Sequence, residues 1–391
     1  MSVLSLWAAR AITPDRELAG VSLRAEEGRI VELVPDTDPP ADAEQFPDAT
    51  LVPGLLDLQV NGGDGAAYDA RDPTERARAT EFHLRSGTTG LLATLVTAPL
   101  EELEASLARL AQDVDSAGPL LGVHLEGPFL AEAKAGAHER RFLCDPESDR
   151  VERLIAAAQG TLRLVTLAPE RTGALPAIRR FAEAGAVVAA GHSSASADEL
   201  RRAIEHGLSF MTHVGNASDW PSRPFDAEAG YRRSEPGMVG TFLFEPRLRG
   251  SVILDGLHLH PQLARALVEL RGPESVALVS DATPAAGLAP GHYTLGGLDT
   301  VIHPGGYATA REGLAGSVVP LVCCVRTAVH EAGMTLPVAL RMATSTPAQI
   351  IGLEERKGRL QVGYDADCLL LGQDLSVTAV YRAGERVKAA P

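Results

Sequence analysis

Eight short apolar runs recur through the middle of the chain: LVPGLLDLQV (51–60), TGLLATLVT (89–97), LLGVHLEG (120–127), LRLVTLAPE (162–170), AVVAAGHS (186–193), LSFMTHVGN (208–216), SVILDGLHL (251–259) and SVALVSDA (275–282). Runs of Val, Leu and Ala of this length suit parallel strands buried on both faces. Amphipathic segments lie between most of them. In EELEASLARLAQDV, Leu103, Leu107, Leu110 and Val114 recur at helical spacing. SADELRRAIEHG opens on Ser196, a good N-cap, and closes on Gly207, a good C′ residue. PQLARALVELRG carries Pro261 in its first turn. Eight strand–helix alternations predict an α/β fold of the (β/α)8, TIM-like barrel kind; a doubly wound open sheet is the alternative. At 391 residues, 45% of them hydrophobic, the chain can build such a barrel and an appendage.

The two ends read differently. VSLRAEEGRIVELVP near the start and KGRLQVGYDADCLLLGQDLSVTAVYRAGERV near the end carry the alternation of β-hairpins. The expected organisation is a small β-sandwich built from residues 1–52 and 351–391, flanking a barrel over 53–350. Residues 217–250 form a long excursion rich in Pro, Gly, Arg and Glu, and residues 291–311 read as a hairpin.

A formal net charge of −15 makes nucleic acid and anionic membranes poor partners, though a local Arg or His cluster can still take a small anion. Cys144, Cys323, Cys324 and Cys368 form no C-x-x-C motif and read as reduced thiols. MSVLSLWAAR lacks the basic start and long apolar core of a signal peptide, and the apolar run over 90–100 is too short to span a bilayer. A cytoplasmic protein is expected.

Barrels of this kind place their chemistry at the C-terminal ends of the strands. Here those ends carry His124 and Glu126, then His192, His213, Asp255 with His258, and Asp281. One carboxylate and two imidazoles from separate strands suit a divalent cation with a position left for water. A further carboxylate, Asp281, suits proton transfer. Each residue alone has an ordinary reading: Glu126 before Gly-Pro as a turn residue, Asp281 as a cap, His124 as a structural histidine. Their joint placement points to a metal-assisted hydrolase. In LLDLQVNGGDG, Gln59 and Asn61 stand two apart and share a face, where two histidines would hold a metal. Carboxamides are poor zinc ligands, so the pair marks either a lost metal site or a site built for one metal instead of two.

The segments PGLLDLQVNG, HLEGPF, GHS, THVGNA, DGLH, SDAT and RMATSTPAQIIGLEERKGRLQVGYDADCLLL resemble the amidohydrolase superfamily, and within it the N-acetylglucosamine-6-phosphate deacetylases, over nearly the whole chain. The resemblance implies a distorted barrel with a terminal β-sandwich and hydrolysis of an N-acetyl amide to acetate and an amino sugar phosphate. It implies Glu126, His192 and His213 as ligands of one divalent metal, by default Zn2+, with Fe2+, Mn2+ or Co2+ also suited to the ligand set. Asp281 becomes the acid/base group. Ala137, His138, Asn216, Ala217, Asp255, His258, Leu314, Ala315 and Gly316 become substrate contacts, His258 meeting either the amide carbonyl or a sugar hydroxyl. The small amino sugar phosphate is the expected partner, and a homodimer is expected by analogy.

The pattern departs from the family at the phosphate. Ser234, in Arg232-Arg233-Ser234-Glu235-Pro236-Gly237, stands where the family carries an arginine. Arg233 is the expected substitute; Arg232, Arg223, Arg140 and Arg141 are the other candidates. Another N-acetylated amino sugar, a different small amide, and a non-catalytic scaffold remain as alternatives.

Overall fold

The computed structural model describes residues 3–13, 15–115, 118–221, 225–226, 231–232, 234–295, 298–310, 313–314 and 316–388. All eight apolar runs form strands: Leu55–Val60, Thr88–Val96, Leu120–Glu126, Leu162–Leu167, Val187–Ala190, Leu208–Met211, Arg249–Ile253 and Val276–Val279. They pair in parallel in chain order as one eight-stranded sheet. The first and eighth strands share no regular ladder. They meet through an isolated parallel bridge, Val60 to Ala282, so the sheet is a nearly closed barrel rather than an open doubly wound one.

The inside is packed, not hollow. Leu56, Leu58, Leu92, Leu121, Leu164, Phe210, Ile253 and Val279 fill it, and Ala348, Ile350 and Ile351 close its N-terminal end. Outside, helices bury one stripe against the strands. Leu100–Asp113 buries Leu103, Leu107 and Leu110, and Pro261–Arg271 buries Ala264, Leu267 and Val268. Ser196 and Glu199 form a reciprocal capping box at the start of Ala197–Glu205.

Strands from both chain ends make one separate antiparallel and parallel sheet of seven strands, with its own core around Leu6, Leu23, Leu51, Leu370 and Tyr381. Val3–Ile12 pairs with Glu17–Glu26 and with Glu44–Pro53, which pairs in turn with Cys368–Leu371. Gly54 alone separates Glu44–Pro53 from the first barrel strand. A Cβ there would fall 2.0 Å from Thr89 Oγ1, so glycine is required by contact.

Two segments differ from their sequence reading. The excursion over 217–250 contains a helix, Gly237–Phe244, whose Met238, Val239 and Phe242 are buried. The expected hairpin at 291–311 is instead part of a four-stranded antiparallel unit: Gly291–Leu295, Leu298–His303, Tyr307–Ala310 and Gly313–Leu314. Among the described residues no helix is long and apolar enough to cross a membrane.

Candidate active site

Three donor atoms converge at the mouth of the barrel. Glu126 closes the third strand; His192 and His213 follow the fifth and sixth. Glu126 Oε1 lies 2.9 Å from His213 Nε2 and 3.3 Å from His192 Nε2, and the two imidazole nitrogens are 3.1 Å apart. All three side chains are buried. His192 and His213 adopt positive φ angles of 49° and 32°, an uncommon conformation for residues other than glycine. Such conformations concentrate where surrounding structure holds a functional geometry.

One of the two imidazoles is aimed from behind. His192 donates Nδ1–H to the Lys134 carbonyl at 2.8 Å, which turns Nε2 towards Glu126 Oε1. Lys134 sits in the short turn Glu132–Lys134 of the loop after the third strand, and its ammonium pairs with Asp219. Burial opposes a charge on His213, but its bond to Glu126 outweighs that and raises its pKa. For Glu126, burial is likewise outweighed, by its bonds to His192 and His213, and its pKa lies well below the usual range. Two imidazole nitrogens and a carboxylate oxygen on one point, within 4.8 Å of one another, match the chemistry of a divalent cation site.

His138 closes the same cluster. Thr97 N–H donates to its Nδ1, so the ring proton sits on Nε2, 3.9 Å from Glu126 Oε2. Its ring packs edge-on against His192. Burial and then the His192 charge lower its pKa to about 3, so it is neutral. His124, two residues before Glu126, bonds Thr166 Oγ1 at 2.8 Å and is a structural histidine, in line with its ordinary reading.

Gln59 and Asn61 have distinct partners. Gln59 Nε2 donates to Glu126 Oε1 at 3.1 Å, and Asn61 Nδ2 donates to Asp281 Oδ1 at 2.7 Å. The two amides that stand in a histidine pair's place each hold one of the carboxylates. Among the described residues their own oxygens, Gln59 Oε1 and Asn61 Oδ1, are buried without a protein partner.

Asp281 follows the eighth strand with φ of 50°. Enclosure pushes its pKa up to about 6, and the Glu126 charge adds to the rise; His213, His258 and the Asn61 bond act the other way. His258 Nδ1 donates to Asp255 Oδ2 at 2.8 Å, which leaves Nε2 free for another partner. Burial opposes the His258 charge and the Asp255 bond overcomes it. Asn216 donates to the His258 carbonyl at 2.8 Å, and Ala217 accepts from Ser193 N–H beside His192.

Glu126, His192, His213, His138, Asp281, Asp255, His258, Asn216 and Ala217 are thus linked at one end of the barrel. Gly316 adjoins them, its missing Cβ position 3.1 Å from the Asp281 carbonyl. Ala137 is exposed next to His138, and Leu314 is exposed on the short strand Gly313–Leu314. Arg233, Arg223 and Ala315 lie outside the described residues, as does the side chain of Arg232. Arg140 and Arg141 are exposed, Arg141 lying over Phe142. Sequence reasoning did not single out Thr97 or Lys134; nothing local to either marks it, because their partners are far along the chain.

The profile of the amidohydrolase family matches residues 50–387. This chain belongs to the amidohydrolase family. It is 34% identical over 385 residues to the N-acetylgalactosamine-6-phosphate deacetylase of Escherichia coli O157:H7, covering 97% of this chain and 98% of the relative. It is 35% identical over 352 residues to the N-acetylglucosamine-6-phosphate deacetylase of Bos taurus, covering 86% of this chain and 83% of that one. A solved structure of N-acetyl-D-glucosamine-6-phosphate deacetylase from Mycobacterium smegmatis, in complex with N-acetyl-D-glucosamine-6-phosphate, superposes with a TM-score of 0.90. It is 37% identical, with 99% of this chain and 100% of that chain covered. Amidohydrolases are metal-dependent, and the buried Glu126–His192–His213 cluster gives this chain a donor set of the right kind.

Proposed function

We propose that this chain hydrolyses the N-acetyl amide of N-acetylglucosamine 6-phosphate, releasing acetate and glucosamine 6-phosphate. The observation that carries this reading is the convergence of Glu126, His192 and His213 beside Asp281. Similarity to named deacetylases over nearly the full chain supports it.

Glu126, His192 and His213 would hold one divalent cation, with Zn2+ as the default for two imidazoles and a carboxylate. When bound, such a cation polarises the amide carbonyl and makes water more acidic. Asp281 accepts the proton of the attacking water, then delivers it to the amine nitrogen. An amide nitrogen leaves only once protonated, so one carboxyl group serves both transfers. Asn61 keeps Asp281 aimed and favours its charged form through the 2.7 Å bond. His258, held through Nδ1 by Asp255, presents Nε2 to the substrate's carbonyl or to a sugar hydroxyl. Gly316 leaves room against Asp281 where a side chain would intrude. Arg233 is proposed as the phosphate contact in place of the family's arginine at Ser234. The protein is proposed to act in the cytoplasm as a homodimer, by analogy with the family.

A second reading is favoured by one observation: the relative matched over 98% of its length is an N-acetylgalactosamine-6-phosphate deacetylase. The two sugars differ only in the orientation of one hydroxyl. Acetate release should be measured on both 6-phosphates and on both unphosphorylated sugars. Preference for the glucosamine form supports the first reading; preference for the galactosamine form supports the second. Turnover without regard to phosphate refutes a phosphate site, and no acetate from any of the four refutes the deacetylase.

A further inference from the structure

The barrel's seam carries a carboxylate that no step above uses. Asp57, the acidic residue of PGLLD, has no exposed surface. It lies in the first strand, two residues before Gln59, where pairing with the second strand slips between Asp57 and Val60. Its carboxylate turns to backbone donors instead. Ser280 N–H lies 3.2 Å from both Oδ1 and Oδ2, and Gln59 N–H lies 3.2 Å from Oδ1. Both oxygens therefore act as acceptors, across the one place in the barrel where two neighbouring strands share no ladder.

What the carboxylate grips matters more than that it is buried. Ser280 immediately precedes Asp281. The segment is held at each peptide group: Ser280 N–H by Asp57, Asp281 N–H by the Gln59 carbonyl at 3.0 Å, Ala282 N–H by Ser280 Oγ at 3.1 Å, and the Asp281 carbonyl by Ser317 N–H at 3.1 Å. Asp281 occupies a left-handed conformation, uncommon outside glycine though open to aspartate, and these bonds hold it there. On the other side, Asp57 holds the peptide of Gln59, whose side chain reaches Glu126. Burial pushes the Asp57 pKa up to about 7, and its bonds to Ser280 and Gln59 act against that rise without cancelling it.

Resting on the deacetylase reading above, we propose that Asp57 is a positioning residue: from behind the site it fixes the backbone that aims Asp281. It touches neither substrate nor metal. Its isosteric replacement keeps one acceptor oxygen, which Gln59 N–H still needs, and sets an amide N–H2 in place of the other, donor against donor with Ser280 N–H, which loosens the peptide before Asp281. Substrate binding and metal uptake depend on other residues and are left in place.

The test compares wild type with Asp57→Asn on whichever acetylated sugar phosphate the wild type turns over. The expected result is a fall in kcat of about tenfold or more, as for a misplaced catalytic group, with KM within about twofold of wild type. Metal content by mass spectrometry should equal that of wild type. Unchanged kcat overturns the proposal. So does a loss of metal or a rise in KM as large as the fall in kcat, because either marks a general structural role. If Asp57→Asn does not fold, Ser280→Ala decides the matter. It unties Ala282 N–H and removes the Ser280 hydroxyl, a side-chain partner of Asp57 beside the backbone N–H, so kcat should fall at constant KM; an unchanged kcat overturns the proposal. A wild type that releases no acetate refutes the deacetylase reading itself and is seen before any variant is compared.

Discussion

Asn61 donates its side-chain amide to Asp281 Oδ1 at 2.7 Å, joining the end of the first barrel strand to the residue after the eighth. A donor on the ionised carboxylate stabilises that form and lowers its pKa. Asn61→Leu removes the donor and Asn61→Asp adds a second negative charge, so both should raise the Asp281 pKa, the second more. Each should lower kcat/KM by about tenfold or more, the scale of one general-base contribution, and shift the acid limb of its pH profile upwards. A pH–rate series on the two variants checks this; a limb that stays in place refutes the coupling.

The wild-type acid limb has its own expected position. Enclosure and the neighbouring Glu126 charge push Asp281 up to about 6. The base form is the ionised one, so activity should be lost as pH falls through the Asp281 pKa and be full above it. A bound cation pulls the value further down. The acid limb of kcat/KM is therefore expected at or below about pH 6, and a limb above pH 7 would assign the base to another group.

Chelation should abolish acetate release, and one equivalent of a divalent ion per chain should restore it. Glu126→Gln, His192→Ala and His213→Ala should each lower metal affinity by about tenfold or more while leaving the barrel folded. Metal analysis after dialysis, with circular dichroism as the fold control, checks this without any turnover. Retention of stoichiometric metal in all three variants would place the ion elsewhere.

How far the sequence discloses this molecule depends on the range of the interactions. The barrel strands are legible because each is a local apolar run, and the strand ends place Glu126, His192, His213 and Asp281 at one mouth. The helix Gly237–Phe244 is not legible: GMVGTFLF has two glycines and no polar face, and it is helical because Met238, Val239 and Phe242 pack into the core. Spacing puts Gln59 and Asn61 on one face. Which carboxylate each meets is decided 67 and 220 residues away, by a slipped register and by closure of the barrel. The left-handed backbone at His192, His213 and Asp281 leaves no mark in composition, since none of the three is glycine.

The join between barrel and terminal sheet rests on a buried ion group. Lys357 Nζ lies 2.7 Å from Asp367 Oδ2 and 3.1 Å from Asp365 Oδ2, with the lysine side chain only 7% exposed. Asp367 Oδ1 accepts from Ala383 N–H, and its carbonyl accepts from Gly54 N–H at the start of the barrel. Asp365 has Arg29 and Arg356 as further partners, each at 3.1 Å; among the described residues Lys357 is the only cation paired with Asp367. Lys357→Met should therefore leave Asp367 buried and uncompensated and cost about 3–5 kcal/mol of stability. Adding Asp367→Asn to it should recover part of that loss, because the charge left behind, and not the absent contact, is the larger penalty. Urea denaturation of the two variants checks both signs; a double variant less stable than Lys357→Met alone would show that the Ala383 bond, not the ion pair, holds the join.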